Sequence, residues 1–350
     1  MILAICASNR NNKEASKNFL VMSNDVSRAY FYAPATRPIY IKIPAEDWEP
    51  GDEENVARLN LSLYGTRDAA KNWTKKYTAV MKDLGFVVGE GSPCNFKHPR
   101  RRLACTVHGD DFTSTGTEQD LKWFERGLAA AFEIKTELLG PDKLHHRQEI
   151  RVLNRVITWT PKGITYEADP RHAELIVRDL GLEACRPVTT PGAREDVAKA
   201  SCVVVNAGGE LENEDGGDDL PAQEATRFRA LAARANYLAQ DRADIQFAVK
   251  ELARRMSTPK SGDMELLKRL GRYLVGTPRA VYDYAWQSEI SQVDTFVDSD
   301  WAGCKGTRRS TSGGAMMCGK HVLKTWSSTQ ATIALSSAEA ELYALVKGAA

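Results

Sequence analysis

The run Ala207-Gly-Gly-Glu210-Leu-Glu-Asn-Glu-Asp215-Gly-Gly-Asp-Asp219 sets the first limit on the fold. It combines glycines with six acids. Such a stretch cannot bury enough apolar surface to offset the entropy of ordering it, so it reads as a linker. The chain on either side must therefore build its own cores, and a chain of 350 residues is expected to hold two or three domains.

Other bulk properties narrow the class. Hydrophobic residues make up 43% and charged residues 27%, the balance of a soluble globular protein. Net charge is +1, so a polynucleotide partner is neither indicated nor excluded, and any phosphate-binding field must come from local patches. Seven cysteines form no Cys-x-x-Cys pair, which suggests free thiols in a reducing compartment. The apolar start, Met1 to Ala7, lacks a basic flank and reads as a buried helix, not a signal peptide. No apolar run reaches the roughly eighteen residues of a membrane span, and no membrane partner is expected.

Apolar spacing predicts a helix over 1–23, a strand over 24–32 turning at Pro34, and a strand over 39–43. A helix over 68–84 is stopped by Gly85, and Trp73 sits on its apolar face as a core residue. Strands at 95–97 and 103–107 form a hairpin, followed by a helix over 118–132. A second hairpin joins 147–159 to 163–167, and a helix over 172–180 closes at Gly181. Beyond the linker, 223–256 and 263–275 are helical stretches. Strands return at 293, and a last helix opens at Ser337.

Two sets of carboxylates stand out on this frame. Asp25 ends a strand, and His108-Gly109-Asp110-Asp111 forms a hairpin tip. Acids so placed suit two divalent ions that bind a triphosphate and lower the pKa of an attacking hydroxyl. Taken singly, an Asp before Val is usually a cap, and an Asp pair on a hairpin is usually a turn. The second set is Asp298 and Asp300, on one face of a strand, with Glu339 and Glu341 at the start of the last helix. Acids from a strand end and a helix start also suit metal-assisted phosphodiester chemistry. Ser336-Ser-Ala-Glu339 reads equally as a capping box.

Several runs together resemble the Pol polyprotein of copia-type long-terminal-repeat retrotransposons. Asp25-Val-Ser-Arg-Ala-Tyr-Phe is similar to its reverse transcriptase stretch Asp-Val-Lys-x-Ala-Phe-Leu. Leu61-Ser-Leu-Tyr-Gly65 through Trp73 resembles Ser-Leu-Tyr-Gly-Leu-Lys-Gln-Ala-x-Arg-x-Trp. Val107-His-Gly-Asp-Asp111 lies where the family has Tyr-Val-Asp-Asp, and Tyr237 through Val249 resembles Tyr-Leu-x-x-x-Arg-Pro-Asp-Ile-x-Phe-Ala-Val. Val297-Asp-Ser-Asp-Trp-Ala-Gly and Ala334-Leu-Ser-Ser-Ala-Glu-Ala-Glu resemble its ribonuclease H segment. The order is collinear along nearly the whole chain.

The resemblance implies an α+β fold: a reverse-transcriptase palm, an antiparallel sheet backed by helices, plus an incomplete ribonuclease H-like α/β domain. The implied domains are 1–192 (reverse transcriptase with truncated fingers, palm and thumb), 193–222 (linker), 223–290 (helical connection) and 291–350 (first part of the ribonuclease H-like domain). The implied activity is RNA-directed DNA synthesis with Mg²⁺, or Mn²⁺ in its place. Asp25, the backbone of Val26, and Asp110 would hold metal, and Asp111 would assist. Lys135 would protonate the leaving pyrophosphate. The Tyr30 ring would exclude a ribose 2′-hydroxyl, and Gly65 would let the backbone approach the templating pair. Asp298 and Glu339 would hold metal in the second domain, whose further acids are expected beyond Ala350. By their position beside the second set of acids, and not by the resemblance, Lys305, Arg308 and Arg309 read equally as a grip on a hybrid backbone or as a solvated loop. Lys97 and Arg100 to Arg102 read either as a solvated tip or as a template contact.

The implied partners are an RNA template, a DNA primer, deoxynucleoside triphosphates and other retroelement proteins. The implied place is a cytoplasmic retroelement particle or the nucleus, not the secretory route. The rival expectation is a degenerate, inactive remnant with passive nucleic-acid affinity, because His108-Gly109 replaces Tyr-Val. A phosphatase built on Asp298-Ser-Asp300 would need a parallel sheet, which the hairpin pattern argues against.

Overall fold

The computed structural model describes residues 1–9, 18–52, 54–192, 217–288, 292–304 and 306–350. Most of the acidic linker, Lys305 and the middle of the helix expected over 1–23 lie outside these residues. The chain divides into two compact units: Met1–Val152 with Thr158–Ile164 and Ala285–Glu289, and Leu153–Ile157 with Thr165–Tyr284 and Ile290–Ala350. Helices and antiparallel sheets are mixed throughout, an α+β arrangement.

The first unit opens with α1 (Ile2–Ser8), β1 (Phe19–Val26) and a 3₁₀ turn at Ala29–Tyr32. A small hairpin follows, β2 (Tyr40–Lys42) and β3 (Val56–Arg58), and then α2 (Ala69–Asp83). Next come β4 (Val87–Val88), β5 (Asn95–His98), β6 (Leu103–His108), β7 (Asp111–Thr117), α3 (Glu118–Ala129) and β8 (Ile134–Leu139). Six strands form one sheet in the order β4-β5-β6-β7-β1-β8, with every pairing antiparallel.

β1 and β7 lie inside this sheet. Phe19, Leu20, Val21 and Met22 are consecutive and all buried, so both faces of β1 are covered there. That run overturns the single helix expected over 1–23, which stops at Ser8. The strand expected over 24–32 likewise ends at Val26, because Arg28 takes a left-handed φ of 53° and the chain then coils. A continuous apolar run looks alike in a buried helix and in a middle strand, and here packing decides.

Two helices cover the sheet. α2 buries Trp73, Tyr77 and Met81, four residues apart, and α3 buries Leu121, Phe124 and Leu128. Tyr77 meets Phe96 and Phe112 edge-on, and Phe86 packs against Phe124. Each such side chain contributes about 1.5–3 kcal/mol of burial. Thr117 caps α3 by accepting the Asp120 N–H.

After β9 (Glu149–Val152), Leu153 and Asn154 both take positive φ, the pattern of a two-residue I′ hairpin turn. The strand expected over 147–159 is therefore two strands, the second being β10 (Arg155–Thr160), ahead of β11 (Gly163–Glu167). In the second unit, α4 (Arg171–Leu180), α5 (Ala222–Leu238), α6 (Gln246–Ala253) and α7 (Ser261–Gly276) share one core around Ile176, Phe228, Leu231, Val249 and Leu267. Arg242, 1% exposed, forks onto Asp244 at 2.9 and 2.7 Å and donates to the Thr277 carbonyl at 3.0 Å. This ties the start of α6 to the end of α7. β12 (Val281–Ala285) leads on to a separate meander, β13 (Asp294–Asp300), β14 (Thr311–Cys318) and β15 (His321–Thr329), with α8 (Ser337–Ala349) packed on it.

Candidate active site

The register of the six-stranded sheet assembles the first set of acids. Asp25 on β1 lies directly opposite Asp111 on β7, and on its other side directly opposite Lys135 on β8. Directly opposed residues of an antiparallel pair share a face, with Cβ atoms about 4.5–5.5 Å apart. Asp111, Asp25 and Lys135 therefore form one row across three strands. Asp110 sits in the two-residue turn between β6 and β7, and its carbonyl accepts the Val26 N–H at 3.1 Å. The chain thus brings together Asp25, Val26, Asp110, Asp111 and Lys135, which the sequence separates by more than a hundred residues.

The electrostatics of this row are strained. Asp25 and Lys135 are exposed, while Asp110 and Asp111 are half-buried. Partial burial pushes the Asp111 carboxyl above its ordinary range, and the charges of Asp110 and Asp25 push it further. His108, opposite Asp111 across the turn, pulls the other way. Crowded carboxylates of this kind favour a cation among them.

The donor set fits a hard divalent ion. Among the described residues, no three His, Cys, Asp or Glu side chains form a ready-made metal cage. Mg²⁺ does not need one, because it keeps waters and substrate phosphates and takes one or two protein carboxylates. Asp25 and Asp110, with the backbone at Val26, supply oxygens of that type.

Tyr30 and Gly65 are also brought together. Tyr30 leaves β1 on the 3₁₀ turn and stacks on Tyr64, with ring centroids 4.4 Å apart, and Phe31 meets the same ring edge-on. Gly65 follows at φ +86°, with open space where a Cβ would stand. A side chain would be strained there, and the backbone is left accessible on that face. Asn72 of α2 donates to Ser62 at 3.1 Å and so fixes the loop that carries Tyr64 and Gly65.

Sequence reasoning missed one participant. Trp73 is a core residue, as its spacing indicates, yet its indole N–H donates to the Gly109 carbonyl at 2.7 Å. A buried tryptophan needs a partner for that N–H, which is the signal that could have found it. Two arginines of the 100–102 tip are engaged locally, and Arg100 is exposed. Arg101 pairs with Asp120 at 2.8 Å and lies 4.0 Å over the Trp123 ring, and Arg102 lies over Phe19.

The second set of acids, where a metal pair at Asp298 and Glu339 is expected, is arranged differently. α8 covers the face of β13 that carries Thr295, Val297 and Ser299. A Cβ on Gly348 would touch Val297 and Thr295, and Glu341 accepts both the Ser299 N–H and its hydroxyl, at 3.2 and 2.9 Å. Alternation then turns Asp298 and Asp300 to the opposite face. Glu339 is occupied at its own helix start. It accepts the Leu335 N–H and the Tyr343 hydroxyl, both at 2.7 Å, and these hold its carboxyl below the ordinary range. Asp300 accepts the Thr311 N–H. Arg308 and Arg309 are exposed on the loop between β13 and β14, Arg308 at φ 57°.

Comparison with known proteins gives this geometry a family. Residues 12–193 match the model of the reverse transcriptase (RNA-dependent DNA polymerase) family. The retrovirus-related Pol polyprotein from transposon RE2 of Arabidopsis thaliana is 26% identical over 320 residues, covering 91% of this chain and 20% of that protein. The corresponding polyprotein from transposon TNT 1-94 of Nicotiana tabacum is 25% identical over 335 residues, 94% of this chain and 24% of that protein. An uncharacterized mitochondrial protein of Arabidopsis thaliana is 31% identical over 247 residues, 70% of this chain and 90% of that protein. The chain spans about a fifth to a quarter of the length of these Pol polyproteins. On the match across 12–193, the chain belongs to the reverse transcriptase family.

Proposed function

We propose that this chain carries the polymerase centre of a copia-type retrotransposon: it adds deoxynucleotides to a primer 3′-hydroxyl on an RNA template. One observation carries the reading, the cross-strand row Asp111–Asp25–Lys135 with Asp110 in the adjoining turn. Asp25, Asp110 and the Val26 backbone would hold Mg²⁺, or Mn²⁺ in its place. Bound there, the ion supplies positive charge to the triphosphate and lowers the pKa of the attacking hydroxyl. Asp111 adds negative charge that favours cation binding. Lys135, beside Asp25, is placed to give a proton to the leaving pyrophosphate. Tyr30, steadied by Tyr64, presents a ring that would clash with a ribose 2′-hydroxyl. RNA template, DNA primer and deoxynucleoside triphosphates are the proposed partners, and a cytoplasmic retroelement particle the proposed location.

The domain reading places the polymerase in 1–192 and a ribonuclease H-like part in 291–350. Support for the latter is its architecture alone, an antiparallel three-stranded meander followed by a helix. Arg308 and Arg309 on its exposed loop are proposed nucleic-acid contacts.

Primer extension on an RNA template, wild type against Asp110→Asn, with Mg²⁺ and with Mn²⁺, tests the reading. Extension by the wild type that the substitution abolishes supports it. Extension that survives Asp110→Asn removes the catalytic assignment, and no extension by either protein leaves the inactive remnant as the function.

A further inference from the structure

The hairpin tip holds an ambiguity that its own residues do not resolve. Two-residue hairpin turns take two forms, I′ with φ > 0 at both central residues and II′ with φ > 0 at the first only. The forms differ by turning over the peptide between those residues. Here Gly109 takes φ +65° and Asp110 does not take a positive φ, which is the II′ pattern. Aspartate is among the few residues that tolerate the left-handed region, so Gly109-Asp110 is compatible with both forms. Each form aims the Asp110 carboxylate differently.

The oxygen of that middle peptide is the Gly109 carbonyl, and it is the atom that receives the Trp73 indole N–H at 2.7 Å. Trp73 is 1% exposed, and its ring meets Tyr77 and Phe132 edge-on with centroids 5.5 and 5.0 Å away. A ring held on these sides cannot follow a peptide that turns over. The bond from the Val26 N–H to the Asp110 carbonyl fixes the next peptide and leaves the middle one free to turn. We infer that Trp73 is a positioning residue: its indole N–H locks the 109–110 peptide in one form and so sets the aim of Asp110. The inference rests on the polymerase reading for its consequence, but the lock itself is a property of the turn.

The test replaces Trp73 in the full chain by benzothienylalanine, which keeps the fused-ring shape and puts sulfur where the N–H was. Trp73→Phe is the second variant. With the isostere, the thermal midpoint stays near that of the wild type. The Mg²⁺ concentration for half-maximal single-nucleotide extension rises at least about tenfold and kcat falls, while the KM for primer–template is unchanged. Wild-type Mg²⁺ dependence in the isostere overturns the inference. A readout that needs no activity runs beside it: the Trp73 indole proton, assigned by its loss in Trp73→Phe, exchanges slowly and shifts on adding Mg²⁺. A rapidly exchanging indole proton, or one indifferent to Mg²⁺, also overturns the inference. If wild type fails to extend primers, or extends them despite Asp110→Asn, the polymerase reading fails, and the exchange rate of the indole proton without Mg²⁺ alone decides on the lock.

Discussion

The two acid clusters of this chain look alike in sequence and differ in how their charges are satisfied. At the first, Asp25 and Asp111 are cross-strand neighbours with Asp110 in the adjoining turn, and the Asp111 carboxyl is pushed above its ordinary range by burial and by its neighbours. At the end of β13 and the start of α8, Glu339 holds the Leu335 N–H, Glu341 holds Ser299, and Asp300 holds the Thr311 N–H. Folding has used Glu339, Glu341 and Asp300 as caps and ties, and leaves Asp298 exposed on β13. It has left the first set repelling, and a cation relieves that repulsion. Crowding without partners, more than the count of acids, separates a candidate site from a structural one.

The largest expected effect breaks or confirms that contrast directly. Asp110→Asn should lower primer extension by at least about a thousandfold, the order expected when a charge-positioning group of a phosphoryl-transfer site is removed. Asp298→Asn should leave extension within about twofold of wild type, since Asp298 lies outside the polymerase row. Equal losses in the two variants, read by single-nucleotide extension at saturating Mg²⁺, would remove the distinction.

Much of the first cluster was legible because its logic is local. Asp25 ends an apolar run, and Gly109-Asp110 is turn chemistry, so strand end and hairpin tip could be placed from the residues. The register that sets Asp25 opposite both Asp111 and Lys135 is a long-range pairing that spacing does not encode. Resemblance supplied the residues and the sheet supplied the adjacency. Where β1 begins was misread because Phe19 to Met22 fill both faces of a middle strand, so no period-two alternation survives. The break at Leu153–Asn154 was missed because leucine gives no turn signal there, although both residues take positive φ. Asp298 and Asp300 were correctly placed on one face, but which face α8 covers depends on Glu341 reaching Ser299 and on Gly348 lying close to Val297. The Ser336 cap was readable, since its hydroxyl accepts the Glu339 N–H, while the Glu339 carboxylate takes the Leu335 N–H instead of closing a box on Ser336.

A second test extends the contrast to a satisfied acid at the edge of the helical core. Burial alone would raise the Asp244 carboxyl, but the hydrogen bonds and charge of Arg242, with the Tyr273 hydroxyl, bring it below its ordinary value. Arg242→Ala leaves the solvent-exposed Asp244 carboxylate with the Tyr273 hydroxyl, removes the donor to the Thr277 carbonyl and empties the space of a buried side chain, so unfolding should become easier by about 2 kcal/mol. Thermal or urea unfolding of the full chain reads the loss. A change within error would mean that the Arg242 fork contributes nothing measurable.

Asp111 should respond with the opposite sign. Its folded-state pKa lies above the unfolded one, so its charged form costs stability at neutral pH, and that cost disappears as pH falls below the unfolded carboxylate value. Asp111→Asn should therefore raise the thermal midpoint by about 2 °C at neutral pH. The gain should vanish in acid, where wild-type Asp111 is protonated, and should shrink when Mg²⁺ offsets the repulsion in the wild type. A lowered midpoint at neutral pH would show that Asp111 is a partnered, structural acid.

The smallest effect is the sharpest on the second cluster. Glu339 is held below its ordinary pKa by the Leu335 N–H and the Tyr343 hydroxyl, so its contribution is complete above the unfolded value and is lost as pH falls through the lower folded value. Glutamine can still accept the Leu335 N–H through its one carbonyl oxygen, and the charge at the helix N-terminus and the acceptor for the Tyr343 hydroxyl are lost. Glu339→Gln should lower the midpoint by about 1 °C at neutral pH and not at all in acid. A cap and a metal ligand then part company. As a cap, the substitution leaves Mn²⁺ binding, measured by titration calorimetry, as it was. A Glu339→Gln loss of Mn²⁺ affinity greater than about tenfold would mean that the carboxylate leaves its helix start to hold an ion, and the two clusters would then be alike after all.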